Sequence, residues 1–289
     1  MDASKLRRRV TKPVQRALSS HVVVQQRLSV VWLQKVQQAG IPAVELFCAR
    51  QHLDYRDKSQ IRELATWFRD SELKLHSLHS PMYNDEYSGR SGPASVINIT
   101  ENTKSERIRM CDEIKRAIEI VELIPCKYLI QHIGVLHEPF TERKVENTFT
   151  SLEELNLFAR QRGIEILLEN IPNELSTAEK LNYFNGITHL NLGYVFDTGH
   201  AHIGPGVAHE FELMKERIKS LHVHDNDGKE DKHLFPTLSK AGTIDWPRTM
   251  ELLRSRPNQY PLMLELKEQP DFPNPIESAL EIFDHLEQA

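Results

Sequence analysis

Short apolar runs recur along the chain, each bounded by Gly, Pro or charged residues and each followed by a stretch of helical periodicity. Eight of them predict strands at 21–24, 42–48, 74–80, 127–134, 164–170, 192–200, 218–225 and 261–267. Most are continuous rather than alternating, as expected of parallel strands buried beneath helices. Helical periodicity is clearest at 61–69, 105–123 and 145–162, and the last two stretches run into the stops Pro125 and Gly163. Eight βα units with no break in composition and no Gly/Ser-rich linker predict an α/β fold, a single (β/α)8 TIM barrel over 1–289 with 1–20 as an N-terminal extension. Two connections are longer than a plain barrel needs, 81–102 after the third strand and 226–246 after the seventh. Loops of that size usually serve a binding site.

Length and composition change this picture little. A barrel of this kind takes about 250 residues, which the 289 residues here accommodate. With 39% hydrophobic and 27% charged residues and a net charge of −5, the chain has no electrostatic reason to seek nucleic acid. Cys48, Cys111 and Cys126 form no CxxC pair and leave one thiol over in any disulfide scheme, so they read as buried thiols in a reducing compartment. Arg7, Arg8 and Arg9 are not followed by the apolar stretch of a secretory segment. No later stretch approaches the roughly 18 apolar residues of a membrane span, so the cytoplasm is the expected location, with no membrane partner.

The chemistry lies in where ionisable residues fall within the strands. His79, His132, Glu169, Asp197 with His200, His222 with His224, and Glu265 stand near the C-terminal ends of six consecutive strands. In this fold such positions open into a shared bowl. A carboxylate inside an apolar run, as in LLEN or LELK, needs a partner there, and a divalent cation satisfies all of these groups together. Imidazole and carboxylate without thiolate favour Mn or Zn, with Co or Fe as alternatives. Gly199 in DTGH is expected to let the backbone bend beside the metal, and the loop HDNDGKEDKH is expected to fold Asp231 and His233 back over the site. His21, His52, His76, His137, His189, His209 and His285 lack this context and read as structural.

Taken together, HSP at His79, QHIG at His132, LLEN at Glu169, FDTGHAH from Phe196, HVHDNDGKEDKH from His222 and LELK at Glu265 resemble the superfamily of xylose-isomerase-like TIM barrels. That superfamily includes sugar and sugar-phosphate isomerases and epimerases as well as endonuclease IV. The resemblance implies a metal site at Glu169, Asp197, His222 and Glu265. The endonuclease pattern implies further ligands at His79, His132, His200, Asp231 and His233, so the ligand set alone does not separate the two activities. HVHDNDGK followed by GTIDW is similar to the isomerase branch. PTLSKAG at 236–242 departs from the compact PGxG of that branch.

The sequence therefore points first to a divalent-metal-dependent isomerase or epimerase of a sugar or sugar phosphate. Glu169 and Glu265 would carry protons through a metal-stabilised enediolate, and His79, His132, His200, His224, Asp231 and His233 would bind further metal or substrate. The partner is then a small carbohydrate, and a homo-oligomer stays open. The alternative is an endonuclease IV-like apurinic/apyrimidinic endonuclease with a trinuclear zinc site, using Lys229, Lys232, Lys240 and Arg90 toward DNA, the one reading that takes a nucleic-acid partner.

Overall fold

A computed structural model describes residues 15–256 and 260–289. Eight parallel strands alternate with helices. They are β1 (Arg16–Ser19), β2 (Ala43–Phe47), β3 (Lys74–His79), β4 (Tyr128–Gln131), β5 (Glu165–Glu169), β6 (Gly193–Asp197), β7 (Ile218–His222) and β8 (Leu262–Leu264). Neighbours pair in the order β7-β6-β5-β4-β3-β2-β1-β8. A parallel bridge from Val223 to Leu264 brings the two ends together, so the chain is a (β/α)8 barrel.

Local chemistry sets the helix starts. Asp57 caps the helix Lys58–Arg69 by accepting from Ser59 N and Gln60 N, and Thr141 caps Glu142–Arg160 by accepting from Lys144 N. Period-two alternation then sorts the strand residues into two layers. Ile130, Leu167 and Val195 pack together as one cluster, while their neighbours Leu129, Ile166, Leu168, Tyr194 and Phe196 join the core shared with the helices.

The largest departure from expectation is at the start. The first strand is Arg16–Ser19, and the apolar run at 21–24 forms a short 3-10 turn, Ser20–Val23, directly after it. Residues 16–19, expected within an N-terminal extension, are therefore barrel, whereas 1–14, including Arg7 to Arg9, lie outside the described residues. RALS reads weakly as a strand because it carries only two apolar side chains, and its pairing with β2 and β8 is what makes it one. The sixth strand also ends early, at Asp197. His200 stands on the helix Thr198–Ile203, whose N-cap is Asp197 itself.

Both long loops follow the strands as expected. Residues 80–103 contain an antiparallel bridge from Tyr83 to Val96. The loop after β7 is tied by Asp225, whose Oδ1 accepts from the backbone N of Asn226, Thr243 and Ile244 and whose Oδ2 accepts from Trp246 Nε1 at 2.7 Å. Cys48 and Cys111 are buried and Cys126 half-buried, and all three are free. Among the described residues no helix is long and apolar enough to cross a membrane.

Candidate metal centre

The same alternation that packs Leu167 and Val195 inside the barrel carries Glu169 and Asp197, two residues further on, to its C-terminal mouth. His79 and His222 are the last residues of their strands, and Glu265 directly follows β8. All five are buried. Glu169 is the hub. Its Oε2 lies 3.0 Å from His132 Nε2 and 3.6 Å from His79 Nε2, while its Oε1 lies 2.9 Å from His222 Nδ1 and 3.3 Å from His200 Nδ1. His222 Nδ1 is also 3.2 Å from Glu265 Oε2 and 3.9 Å from Asp197 Oδ2. Glu169 and Glu265 thus approach the same ring nitrogen.

The loop after β7 does fold back. Asp231 Oδ2 is 3.2 Å from His200 Nε2, and its Oδ1 is 3.3 Å from His233 Nε2. His224 stacks on His233 with ring centroids 3.9 Å apart, and its Nε2 bonds Asp197 Oδ2 at 3.1 Å. Gly199 has a different reason from the one its motif suggested. It sits in a helix without a left-handed φ, but a Cβ there would overlap the His224 ring. It makes room for the imidazole rather than for a bend.

Two residues enter the site that sequence reasoning left out. Glu45, in the middle of β2, is fully buried with Oε2 3.2 Å from His222 Nε2. Its context, VELF, is the same carboxylate-in-an-apolar-strand signal that singled out Glu169 and Glu265. His21, read as structural, lies 4.7 Å from the His233 ring. Once the first strand is placed at Arg16–Ser19, His21 falls just past a strand end like the other histidines. Elsewhere, His52 bonds Gln26 O and Ser20 Oγ, His76 bonds Ser220 Oγ, and His189 lies on the surface near Glu153.

No Lys or Arg forms an ion pair with Glu45, Glu169, Asp197, Asp231 or Glu265 among the described residues, and each of their ion-pair partners is an imidazole. The effect is visible in the titration behaviour. Burial opposes charge on His222, yet Glu169, Glu265 and Glu45 hold its pKa well above the usual histidine range. Burial also opposes charge on Glu169, and His222 and His132 override it and hold that carboxyl well below its usual range. His233 is raised to about 9 against its burial, chiefly by Asp231.

These residues fit a divalent cation. Buried carboxylates without a fixed cation cost several kcal/mol each unless they are paired or ligate a metal, and Asp231 Oδ1 is a buried acceptor without a hydrogen bond. Glu169, Asp197, His222 and Glu265 each offer a ligand atom, all within 4.8 Å of one another. So do three further groups: His79, His132 and Glu169; His200, His224, Asp231 and His233; and His21, His233 and Glu265. A cleft of about 340 Å³ opens above them, bordered by His79, Tyr83, His132, Glu169, Glu265 and Lys267.

The family model described as xylose isomerase-like TIM barrel matches residues 33–289. Over 234 residues the chain is 27% identical to uncharacterised protein MJ1311 of Methanocaldococcus jannaschii, covering 77% of this chain and 73% of that one. It is 26% identical over 167 residues to an inosose dehydratase of Mesomycoplasma hyopneumoniae, covering 51% of this chain and about half, 55%, of the relative. Among solved structures, a D-tagatose 3-epimerase-like protein superposes with a TM-score of 0.74 at 24% identity, covering 95% of this chain and 96% of that one. IOLI protein with a bound zinc atom superposes with a TM-score of 0.71 at 17% identity, covering 94% and 96%.

Proposed function

The chain belongs to the xylose isomerase-like TIM-barrel family, and from that premise we propose that it is a divalent-metal-dependent isomerase or epimerase of a small carbohydrate, moving a proton beside a carbonyl group. The observation that carries this reading is the convergence of Glu169, Asp197, His222 and Glu265, all buried, beneath a cleft that Glu169 and Glu265 both border. The D-tagatose 3-epimerase-like protein among the structural neighbours supports the substrate class. A divalent ion, Mn or Zn foremost, held by these four residues supplies Lewis-acid stabilisation of negative charge developing on a carbonyl oxygen.

The chain's own residues do the rest. One of Glu169 and Glu265 takes the proton from carbon and the other returns it, a step for which a positioned carboxylate contributes about 10²–10⁴-fold. His79 and His132 border the same cleft and orient substrate hydroxyls. Tyr83 and Met82 of the loop after β3 reach its edge and limit the access of water.

A second reading, hydrolysis of a phosphodiester at an abasic site, is favoured by one specific observation. The ligand groups outnumber what one ion needs, and Glu169, Glu265 and His233 each belong to two of them, as residues that would hold a multinuclear centre. One experiment separates the two: elemental analysis of metal per chain beside assays on a ketose panel and an abasic duplex. One ion with turnover of a ketose bears out the first reading. Three ions with nicking of abasic DNA and no sugar turnover would replace it with the second.

A further inference from the structure

Glu45 has no place in the chemistry so far. It belongs to none of the ligand groups and does not border the cleft. It nevertheless lies between Val44 and Leu46 in the barrel wall, fully buried, where a carboxylate is costly to keep. Its surroundings hold it in one orientation. Oε1 accepts from Ser19 Oγ at 3.1 Å on β1, and Oε2 accepts from Ser77 Oγ at 2.7 Å on β3. The remaining contact runs across the barrel from Oε2 to His222 Nε2 at 3.2 Å.

His222 is the sole imidazole in the four-residue group, and its two nitrogens face different surroundings. Nε2 faces Glu45, while Nδ1 faces Glu169 at 2.9 Å, Glu265 at 3.2 Å and Asp197 at 3.9 Å. A neutral ring carries its proton on one nitrogen and a lone pair on the other, and the partner of the first decides which nitrogen can ligate. We propose that Glu45 is a positioning residue that holds the His222 ring in its Nε2–H form, so that Nδ1 is the atom presented to a divalent ion. The two serine hydroxyls occupy other lone pairs of the carboxylate and aim it at the ring. This inference rests on the metal reading of Glu169, Asp197, His222 and Glu265, and is the same whether the centre holds one ion or several.

The test compares the parent with Glu45→Gln and Glu45→Leu by zinc affinity in competition with a chromophoric chelator, and by the visible spectrum of the cobalt-loaded proteins. Loss of a carboxylate behind a ligating histidine lowers metal affinity roughly 10–100-fold, which is expected for Glu45→Leu together with altered cobalt bands. Glu45→Gln keeps an oxygen that accepts from Nε2–H, so it should stay within about threefold of the parent and keep the parent bands. Should Glu45→Leu fail to fold, Ser77→Ala takes its place, with a smaller loss of zinc affinity expected because the carboxylate loses one of its two hydroxyl anchors. Parent-like affinity and bands in Glu45→Leu, or in Ser77→Ala where it stands in, or an equal loss in Glu45→Gln and Glu45→Leu, overturns the positioning role alone. A parent that binds no zinc or cobalt overturns the metal reading with it.

Discussion

The two ends of the barrel differ in a way that volume conceals. The N-terminal end has the larger cavity, about 1570 Å³, walled by Arg62, Lys74, Lys127 and the apolar faces of Phe68 and Leu123. The C-terminal end has smaller ones, about 340 Å³ and 230 Å³. At the first end the side chains of Arg62, Lys74 and Lys127 reach water, and Arg16 is neutralised by Asp284 and Glu287. At the second, carboxylates are buried against imidazoles, and among the described residues no Lys or Arg forms an ion pair with them. Hydrated or surface-paired charge is ordinary surface chemistry, whereas buried carboxylates and imidazoles concentrated in one place need a reason, and ligand binding is the simplest one. Burial of charge, rather than size of cavity, distinguishes the proposed functional end.

The strongest test of this contrast acts on the buried carboxylates. Glu169→Gln and Glu265→Gln should each lower turnover by about 10²-fold or more, since the amide keeps the shape but loses basicity and ligand charge. Melting temperatures measured in chelator should stay near the parent's, and near-normal turnover in either variant breaks the assignment. A smaller effect is expected from Gly199→Ala, which pushes a methyl group into the His224 ring. Overpacking of this kind costs about 1–3 kcal/mol, read by urea unfolding, and zinc affinity should fall as His224 is displaced from Asp197. Unchanged stability would show that the close approach of Gly199 to the ring is not needed. The smallest effect belongs to the opposite end, where Arg62→Gln and Lys127→Gln should shift stability by no more than about 0.5 kcal/mol. Neither should alter metal content, and a loss of activity in either would give the large N-terminal cavity a role.

Several site residues were legible in the sequence because their signal is local. Glu169 in LLEN and Glu265 in LELK are charges inside apolar strands, and Asp231 and His233 follow a strand end at loop distance. VELF carries the same signal at Glu45, but that residue lies mid-strand, away from the end where the others collect. His21 carries no strand-end signal in the sequence, since RALS has too few apolar residues to stand out while the HVVV after it reads as a strand. The rationale for Gly199 failed differently. Its need for space comes from His224, 25 residues away, and no local pattern encodes that contact.

By itself the sequence determined the alternation of strands and helices, the face on which Glu169 and Asp197 emerge, and the supply of imidazole and carboxylate at one end of the strands. All of these follow from periods of two and 3.6 residues that act over a few positions. Only the tertiary structure decided which groups share an ion-sized space, which nitrogen of His222 faces the other donors, and that Glu45 and His21 join them. The physical reason is closure. β1 pairs with β2 and β8, and the bridge from Val223 to Leu264 joins the last two strands, so residues as far apart as Glu45 and His222 meet only when the barrel shuts.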